Sequence, residues 1–378
     1  MLKLKNHDTP SDMPDKKTTA PFYEKLSLVL IGLIALCYII ILSKDLVDPL
    51  IFGFLFAILL LPVGSFLEKK LRLPRGIASL LSIILLIAFI SGVLYLIGSQ
   101  ITHIADDWPM LKKQVSQSVE NLGEWIESNF HINMNKQMDY VHNATSQIMS
   151  SSTNVIGTTF GAVSSLMLFY SFITIFTLLI LIYRRLLLRF LIWVFRDENS
   201  STVLDIVENV QSILRKYILG LLLEMCVVSS VACTAFWIIG IKYAVLLGLI
   251  VGLFNIVPYV GIFTALLLSA VITFATGNVK DVFYVIISVV GIHAIDSNIL
   301  LPTIVGSKVR LNALISFLGI VVGEMIWGLS GMFLAIPVIA IFKIIFDRIE
   351  SLKPWGYLLG AEHDNKKLLK VIKSDYDQ

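Results

Sequence analysis

Long apolar runs separated by short polar stretches dominate this chain. The hydrocarbon core of a bilayer is about 30 Å thick, and a helix that crosses it needs roughly 20 apolar residues. Runs of this kind occur at residues 26–42, 49–66, 77–98, 160–183, 218–239, 243–274, 282–301 and 311–345. The pattern predicts an all-α, polytopic integral membrane protein with about eight transmembrane helices.

Two of these segments, 243–274 and 311–345, are too long for one upright helix. At 1.5 Å per residue they would extend about 48 and 52 Å, well beyond the hydrocarbon core. Tilt, a break or a re-entrant turn must take up the excess length. We therefore expect some of the transmembrane helices to be broken or re-entrant.

Composition supports a membrane protein over a soluble one. Apolar residues make up 56% of the 378 residues and charged residues only 15%, and the mean hydropathy is +0.83. Such values lie far from those of ordinary soluble domains. The three cysteines all lie in apolar segments, where small buried side chains are their usual role, and they indicate neither a disulfide framework nor a metal motif.

One longer polar stretch interrupts the apolar pattern and defines the domain plan. Its apolar positions recur at three- and four-residue multiples, which predicts an amphipathic helix starting near Asp107 and Pro109. This helix could pack on the membrane domain or on a sister subunit, or it could be a lid that captures solute. The predicted parts are a polar tail (1–25), transmembrane segments one to three (26–101), an extracytoplasmic amphipathic helical region (102–154), segments four to eight (155–347) and a second polar tail (348–378).

The basic residues predict the orientation of the chain, because positively charged loops are retained in the cytoplasm. With eight spans, 23 of the lysines and arginines fall on the side of the two termini and 7 on the other side. Both termini are therefore expected in the cytoplasm. Lys308 and Arg310 are exceptions, because this topology places their short loop outside the cell.

Enzymatic functions find little support in the sequence. Gly328-Leu329-Ser330-Gly331 resembles the serine motif of rhomboid proteases, but the only later histidine, His363, lies in the polar tail. The chain contains no His-Glu-x-x-His zinc motif and no phosphate-binding loop. We expect no enzyme activity, no cofactor and no metal site, so any transport must be passive or ion-coupled.

Ionisable residues inside the apolar segments are the first candidates for function. A carboxylate at the centre of a bilayer costs roughly 2.5 to 3.5 kcal/mol on insertion scales, so something should compensate for it. Glu224, Asp296 and Glu324 are the deepest of these residues, and His293 precedes Asp296 by three positions, on the same helix face. His293 and Asp296 could share a proton or an ion. The alternative for each carboxylate is a structural hydrogen bond to a neighbouring helix.

A proline in mid-segment is the second candidate. Within Asn255-Ile-Val-Pro258-Tyr259-Val-Gly261 the proline removes a backbone donor, and the flanking asparagine and glycine tolerate a broken helix. Backbone carbonyls freed at such breaks line binding sites in secondary transporters. A packed kink is the alternative. Glycine pairs four residues apart, which allow close helix packing, occur at 157 and 161, 248 and 252, and 319 and 323.

Three stretches of the second half carry a family resemblance. They are the Pro-Tyr-Val-Gly that ends at Gly261, the run Asp296-Ser-Asn298-Ile-Leu-Leu-Pro302-Thr-Ile-Val-Gly306, and the run from Gly323 through Gly328 and Gly331 to Pro337. With these marks and its eight-segment plan, the chain resembles the autoinducer-2 exporter (AI-2E) transporter family. It departs from the family pattern at Leu301, where members often have glutamine, and at Glu324, where many have an uncharged residue.

The resemblance implies a permease-like protein of the bacterial inner membrane that forms a homo-oligomer. Its expected partners are the lipid bilayer and a small-molecule or ion substrate, with no nucleic acid. Three functions remain open: an exporter of a small organic signal such as autoinducer-2, a sodium/proton antiporter, and a non-transporting scaffold or receptor. The candidate substrate or ion pathway comprises Glu224, Asn255, Pro258, Tyr259, Gly261, His293, Asp296, Asn298, Pro302 and Glu324, and the candidate loop gate comprises Gly306, Lys308 and Arg310.

Overall fold

Nearly all residues that the structure describes are helical. The computed structural model describes residues 22–130, 155–195, 200–257, 260–300, 303–304 and 311–361. Their only β-type pairing is a single bridge between Leu311 and Gly360. The α-helices are α1 (Phe22–Leu42), α2 (Lys44–Lys70), α3 (Arg75–Phe130), α4 (Val155–Val194), α5 (Ser200–Ile239), α6 (Ala244–Phe254), α7 (Val260–Thr276), α8 (Val279–Ile295), α9 (Ala313–Trp327), α10 (Leu329–Arg348) and α11 (Lys353–Leu359). The prediction of an all-α fold is confirmed.

Each of the eight predicted apolar segments coincides with one helix or with a pair of helices. Among the described residues, six helices are long and apolar enough to cross a membrane, and four shorter apolar helices accompany them. Large apolar side chains lie exposed on their outward faces, for example Leu85 at 59% and Ile287 at 67%. Apolar faces of this kind are typical of helices that contact the hydrocarbon of a bilayer, and they are unfavourable in water. The chain is a multi-pass membrane protein.

The first helix forms a compact unit separate from the rest of the chain. The unit comprises residues up to Lys44, and the second unit begins at Asp45. Within the first unit, α1 is apolar along most of its length and its described side chains are largely exposed. The candidate site described below lies wholly in the second unit.

Helix α3 is longer than the sequence pattern predicted. It continues from the third apolar segment into the amphipathic region as one helix of 56 residues, about 84 Å at 1.5 Å per residue. The predicted helix start near Asp107 and Pro109 is wrong, because residues 99–105 contain no glycine or proline that would end the preceding helix. Hydroxyl groups at the junction bond within the helix, with Ser99 Oγ donating to the Leu96 carbonyl at 2.8 Å.

The sixth apolar segment is broken into α6 and α7, which form a hairpin. Val251 before the break and Ala265 after it line the same small cavity. In one continuous helix these residues would lie about 21 Å apart, so the chain must fold back on itself. Close packing supports the turn, since a Cβ atom added at Gly261 would lie 1.7 Å from the Phe254 carbonyl oxygen. The predicted break is confirmed.

The eighth apolar segment is a second hairpin, built from α9 and α10. Gly328, with a φ of +67°, separates the two helices. A Cβ atom added at Gly323 would lie 2.3 Å from the Gly331 carbonyl oxygen, so the two backbones touch where they cross. At the open end, the backbone N–H of Asn312 donates to the Leu359 carbonyl oxygen at 2.9 Å.

The two ends of the second hairpin lie on one side of the membrane domain. Because Asn312 bonds to Leu359, the start of α9 lies on the same side of the membrane domain as α11, which follows α10. The eighth segment therefore enters and leaves on one side.

Helix α5 is the central packing element of the membrane domain. One half packs with α6, α7 and α8 around Phe236, Leu247 and Val289. The other half packs with α2 and α10 around Leu214 and Leu334. This arrangement places the middle of α5 against the end of α6.

A salt bridge joins α2 to α4. Arg184 Nη2 donates to both carboxylate oxygens of Glu68, at 2.8 and 2.6 Å. Their side chains are 21% and 15% exposed, which makes this pair less accessible to water than the pair of Arg348 with Asp205, at 33% and 53%.

Removing the Glu68 charge should destabilise the protein. We expect Glu68→Gln to lower the free energy of unfolding by about 1 to 3 kcal/mol, because it leaves the Arg184 charge without its partner. Thermal unfolding of the purified protein in detergent measures the change. The double variant Glu68→Gln/Arg184→Gln should lose less than the sum of the single variants, and Asp205→Asn should have a smaller effect. Strictly additive losses would contradict the pairing.

Candidate functional site

Three helices bring two buried carboxylates and one amide together. Glu224 lies in the middle of α5, Asn255 directly follows α6, and Asp296 directly follows α8. The Asn255 Nδ2 atom donates to Glu224 Oε1 at 3.2 Å and to Asp296 Oδ2 at 3.1 Å. The two acidic residues are only 3% and 4% exposed. We call these three residues the carboxylate cluster.

Local backbone structure places each member of the cluster. Asn255 still donates its backbone N–H to the Val251 carbonyl at 3.2 Å, so α6 ends at this residue and its side chain points to the neighbouring helices. Asp296 begins a π-helical turn, Asp296–Leu300. Such turns occur often at functional sites because they displace side chains from the regular helical pattern.

Glycines bring α6 close enough to α5 for Asn255 to reach Glu224. A Cβ atom added at Gly252 would lie 1.9 Å from Ser229 Oγ, and one added at Gly248 would lie 2.5 Å from the Cys233 backbone nitrogen. The four-residue spacing of these two glycines predicted this close helix packing. Helices held at this distance leave Asn255 within one side-chain length of Glu224.

Two buried polar atoms, Asp296 Oδ1 and His293 Nδ1, belong to side chains that line a small cavity beside the cluster, and no described residue bonds to them. Glu224 Oε2, within the cluster itself, is also buried and has no hydrogen-bond partner in the described part of the chain. The cavity has a volume of about 10 Å³, and its polar lining comes from Asn255, His293 and Asp296. A volume of roughly 10 to 15 Å³ holds one water molecule.

The charges of the cluster do not balance without another species. In the described part of the chain, no lysine or arginine bonds to Glu224 or Asp296, and both accept a hydrogen bond from the uncharged amide of Asn255. Two neighbouring carboxylates in a low-dielectric interior repel one another unless a proton or a small cation neutralises one of them. Within the same described ranges, no group of three or more His, Cys, Asp or Glu residues could hold a metal ion. One proton or one small cation would be enough to neutralise this repulsion.

Comparison with known proteins identifies the family. The model of the family described as "AI-2E family transporter" matches residues 28–351, which include both hairpins and the whole carboxylate cluster. The chain belongs to the AI-2E transporter family. The resemblance in its sequence motifs is thereby confirmed.

Curated relatives of this AI-2E protein are candidate transporters from several bacteria. The candidate transport protein YrrI of Bacillus subtilis (strain 168) is 27% identical over 321 residues, covering 80% of this chain and 86% of the relative. YueF of the same organism, also a candidate transport protein, is 28% identical over 332 residues, covering 83% and 87%. The candidate permease PerM of Escherichia coli (strain K12) is 28% identical over 130 residues, covering 34% and 37%. With the apolar helices, these names indicate a membrane permease or transporter.

The structure brings together only part of the predicted pathway of this AI-2E protein. Glu224, Asn255, His293 and Asp296 lie at one place. Glu324 is exposed on α9 and does not join the cluster. Asn298 is also exposed, and its amide donates to the Ala294 carbonyl at 2.7 Å.

Other predicted residues lie outside the described part of the structure. Their roles in the pathway or the loop gate stay predictions. They are Pro258, Tyr259, Pro302, Gly306, Lys308 and Arg310.

Sequence reasoning missed two features of the interior. Asn255 was predicted to tolerate a helix break, and its side-chain bridge between two acids was not foreseen. The sequence signal for this bridge is an asparagine at the end of an apolar helix. Other apolar segments of the chain contain acidic residues that need a hydrogen-bond donor. Asp48 is buried at 4% exposure, although its position just before Pro49, at the edge of an apolar segment, is typical of a membrane boundary.

Proposed function

We propose that this AI-2E protein is a permease that couples the movement of a small solute to a proton carried by Glu224 and Asp296. The observation that carries the proposal is the Asn255 amide, which bonds to one oxygen of each buried carboxylate. Burying two acidic side chains in membrane helices costs free energy, and a non-transporting scaffold has no functional use for them. A coupled transporter needs such a group, because its charge changes when a proton binds.

A proton suits the space beside the carboxylates. It is the smallest species that relieves repulsion between two acids, and the adjoining cavity of about 10 Å³ has room for one water molecule. Glu224 Oε2 and Asp296 Oδ1 each have lone pairs free to accept it. His293, which lines the cavity together with Asp296, adds a third titratable group, as in proton relays of membrane proteins.

The cluster lies at the end of α6, in a hairpin that packs against the second hairpin, and this contact supports a route for the solute. Val257, at the tip of the α6–α7 hairpin, packs against Ile320 and Met332 of the α9–α10 hairpin. Hairpins that interrupt the span at membrane depth supply the substrate and ion sites of many secondary transporters. We propose that movement of one hairpin against the other opens the cluster to one side of the membrane at a time.

Sodium is the second candidate solute. Two carboxylates that bind a proton can also bind a small cation, so sodium and protons could occupy the cluster in turn. Autoinducer-2, which the family resemblance implies, is the first organic solute to test. We further propose a homo-oligomer in the bacterial inner membrane with both termini in the cytoplasm, the side that carries most of the basic residues.

Transport by the purified protein in liposomes tests the proposal. An inward proton gradient should drive solute movement, and dissipating the gradient with a protonophore should stop it. Autoinducer-2 flux and sodium-dependent proton movement are measured in separate vesicles, with protein-free liposomes as the control. Solute movement that is indifferent to the proton gradient would refute the coupling, and the absence of both fluxes would favour the scaffold or receptor.

A further inference from the structure

A groove between α2, α4 and α5 lies apart from the carboxylate cluster. Its volume is about 470 Å³. Most of its walls are apolar, and the polar lining is confined to four side chains. The lining residues are Phe54, Ala57, Ile58, Leu61, Ser65, Ile180, Leu181, Arg184, Arg185, Leu187, Leu188, Leu191, Ile206, Val207, Val210 and Gln211.

The whole groove has about the length of one bilayer leaflet. Along α2 it runs from Phe54 to Ser65, which spans about 17 Å at 1.5 Å per residue. Half of the hydrocarbon core is about 15 Å. The groove is thus long enough for one acyl chain that lies parallel to the helices.

Positive charge lies at one end of this groove. Glu68, one turn beyond Ser65, pairs with Arg184, so Arg184 stands near the Ser65 end of the groove. The Nη1 atom of Arg184 is buried, and none of the described residues accepts a hydrogen bond from it. Arg185 also lines the groove, and its side chain is exposed.

The net positive charge at the groove matches the single negative charge of one phosphodiester. Arg184 and Arg185 supply two positive charges and Glu68 one negative charge, which leaves a single positive charge at the groove. A phosphodiester would neutralise it and accept charge-assisted hydrogen bonds from the exposed Arg185 side chain. Leu187 and Leu191, both exposed, keep the groove continuous with the outer surface of the helices.

We propose that this groove binds an anionic phospholipid. Its phosphate lies against Arg184 and Arg185, and one acyl chain lies along α2 toward Phe54, while the second chain stays in the bilayer. Basic pockets between membrane helices recognise anionic lipid head groups in this way. The expected cytoplasmic position of these arginines assigns the lipid to the inner leaflet.

Lipid titrations on the full-length protein in detergent test the head-group contact. Native mass spectrometry follows the binding of phosphatidylglycerol and of phosphatidylcholine with identical acyl chains. We expect phosphatidylglycerol to bind more tightly, and Arg185→Gln to weaken its binding about fivefold. Arg189→Gln removes the same charge one helical turn away, outside the groove lining, and should leave binding unchanged.

A photoreactive phosphatidylglycerol tests the acyl-chain position independently of any variant. With its reactive group in mid-chain, cross-links should map to α2 between Phe54 and Leu61 and to Ile180 or Leu181 of α4. Excess unlabelled phosphatidylglycerol should suppress them, and phosphatidylcholine should not.

Three outcomes would overturn the proposal. The first is equal binding of the two phospholipids, and the second is an equal loss in Arg185→Gln and Arg189→Gln. The third is oleate binding as tight as that of phosphatidylglycerol, which would assign the groove to a free fatty acid. None of these measurements depends on transport, so they are independent of the proposed coupling at Glu224 and Asp296.

Discussion

Asp296→Asn should reduce proton-driven transport about tenfold to a hundredfold while the protein still assembles in the membrane. A coupling free energy of 1 to 3 kcal/mol corresponds to changes of about 5- to 150-fold. Asparagine keeps the shape of the side chain and can still bond to Asn255, but it cannot take up and release a proton. The measurement is solute flux in proteoliposomes, divided by the amount of folded protein.

Glu224→Gln should have the same effect, and a matched control separates coupling from general loss of charge. Glu208 is exposed on the same helix, and it takes no part in the hydrogen bonds of the cluster that the structure describes. Glu208→Gln should therefore transport normally. Full transport by Asp296→Asn would remove its coupling role, whereas loss of both assembly and transport would assign Asp296 a structural role.

Gly261→Ala should prevent stable assembly of the first hairpin. The new Cβ atom would lie 1.7 Å from the Phe254 carbonyl oxygen, a backbone atom that cannot move away without shifting α6. Overpacking of a close-packed interior costs about 1 to 3 kcal/mol, and more where backbone must move. We expect a lower thermal unfolding midpoint in detergent, less protein in the membrane, or both.

Gly291→Ala is the matched control for this substitution. Gly291 lies within α8, and a Cβ atom added there has no atom of the described residues within 4 Å, apart from its chain neighbours and its own helix backbone. Alanine favours a helix over glycine by roughly 1 kcal/mol, so this variant should be as stable as the parent or more stable. Equal loss in the two variants would show that the close approach of Gly261 to Phe254 is not what limits stability.

The apolar pattern was sufficient to predict where the helices lie. Hydrocarbon requires every backbone polar group to bond within its own helix, so an apolar run of membrane length has few alternatives to helix. Excess length in segments 243–274 and 311–345 also indicated their breaks. Length alone could not distinguish a tilt from a hairpin, because that choice depends on contacts such as Gly323 with Gly331.

The sequence predicted most of the residues of the candidate site, but it did not predict how they contact one another. Cost arguments singled out Glu224 and Asp296, since each is expensive at membrane depth, and the proline break drew attention to Asn255. The same argument selected Glu324, which the structure places apart from the cluster. The free-energy cost of burying a carboxylate identifies acidic residues that need a partner. It does not show which of them share the same partner.

The sequence by itself thus determined the class of fold, the family and the residues that are costly to bury, because hydropathy and short motifs are local properties of the chain. Only the tertiary structure decided that Glu224, Asn255 and Asp296 meet, since their contacts join residues 31 and 41 positions apart. It also decided that α3 continues into the amphipathic region and that the second hairpin returns to the side of the C-terminal region. Such pairings depend on how helices pack against one another, and many packings are compatible with the same apolar pattern.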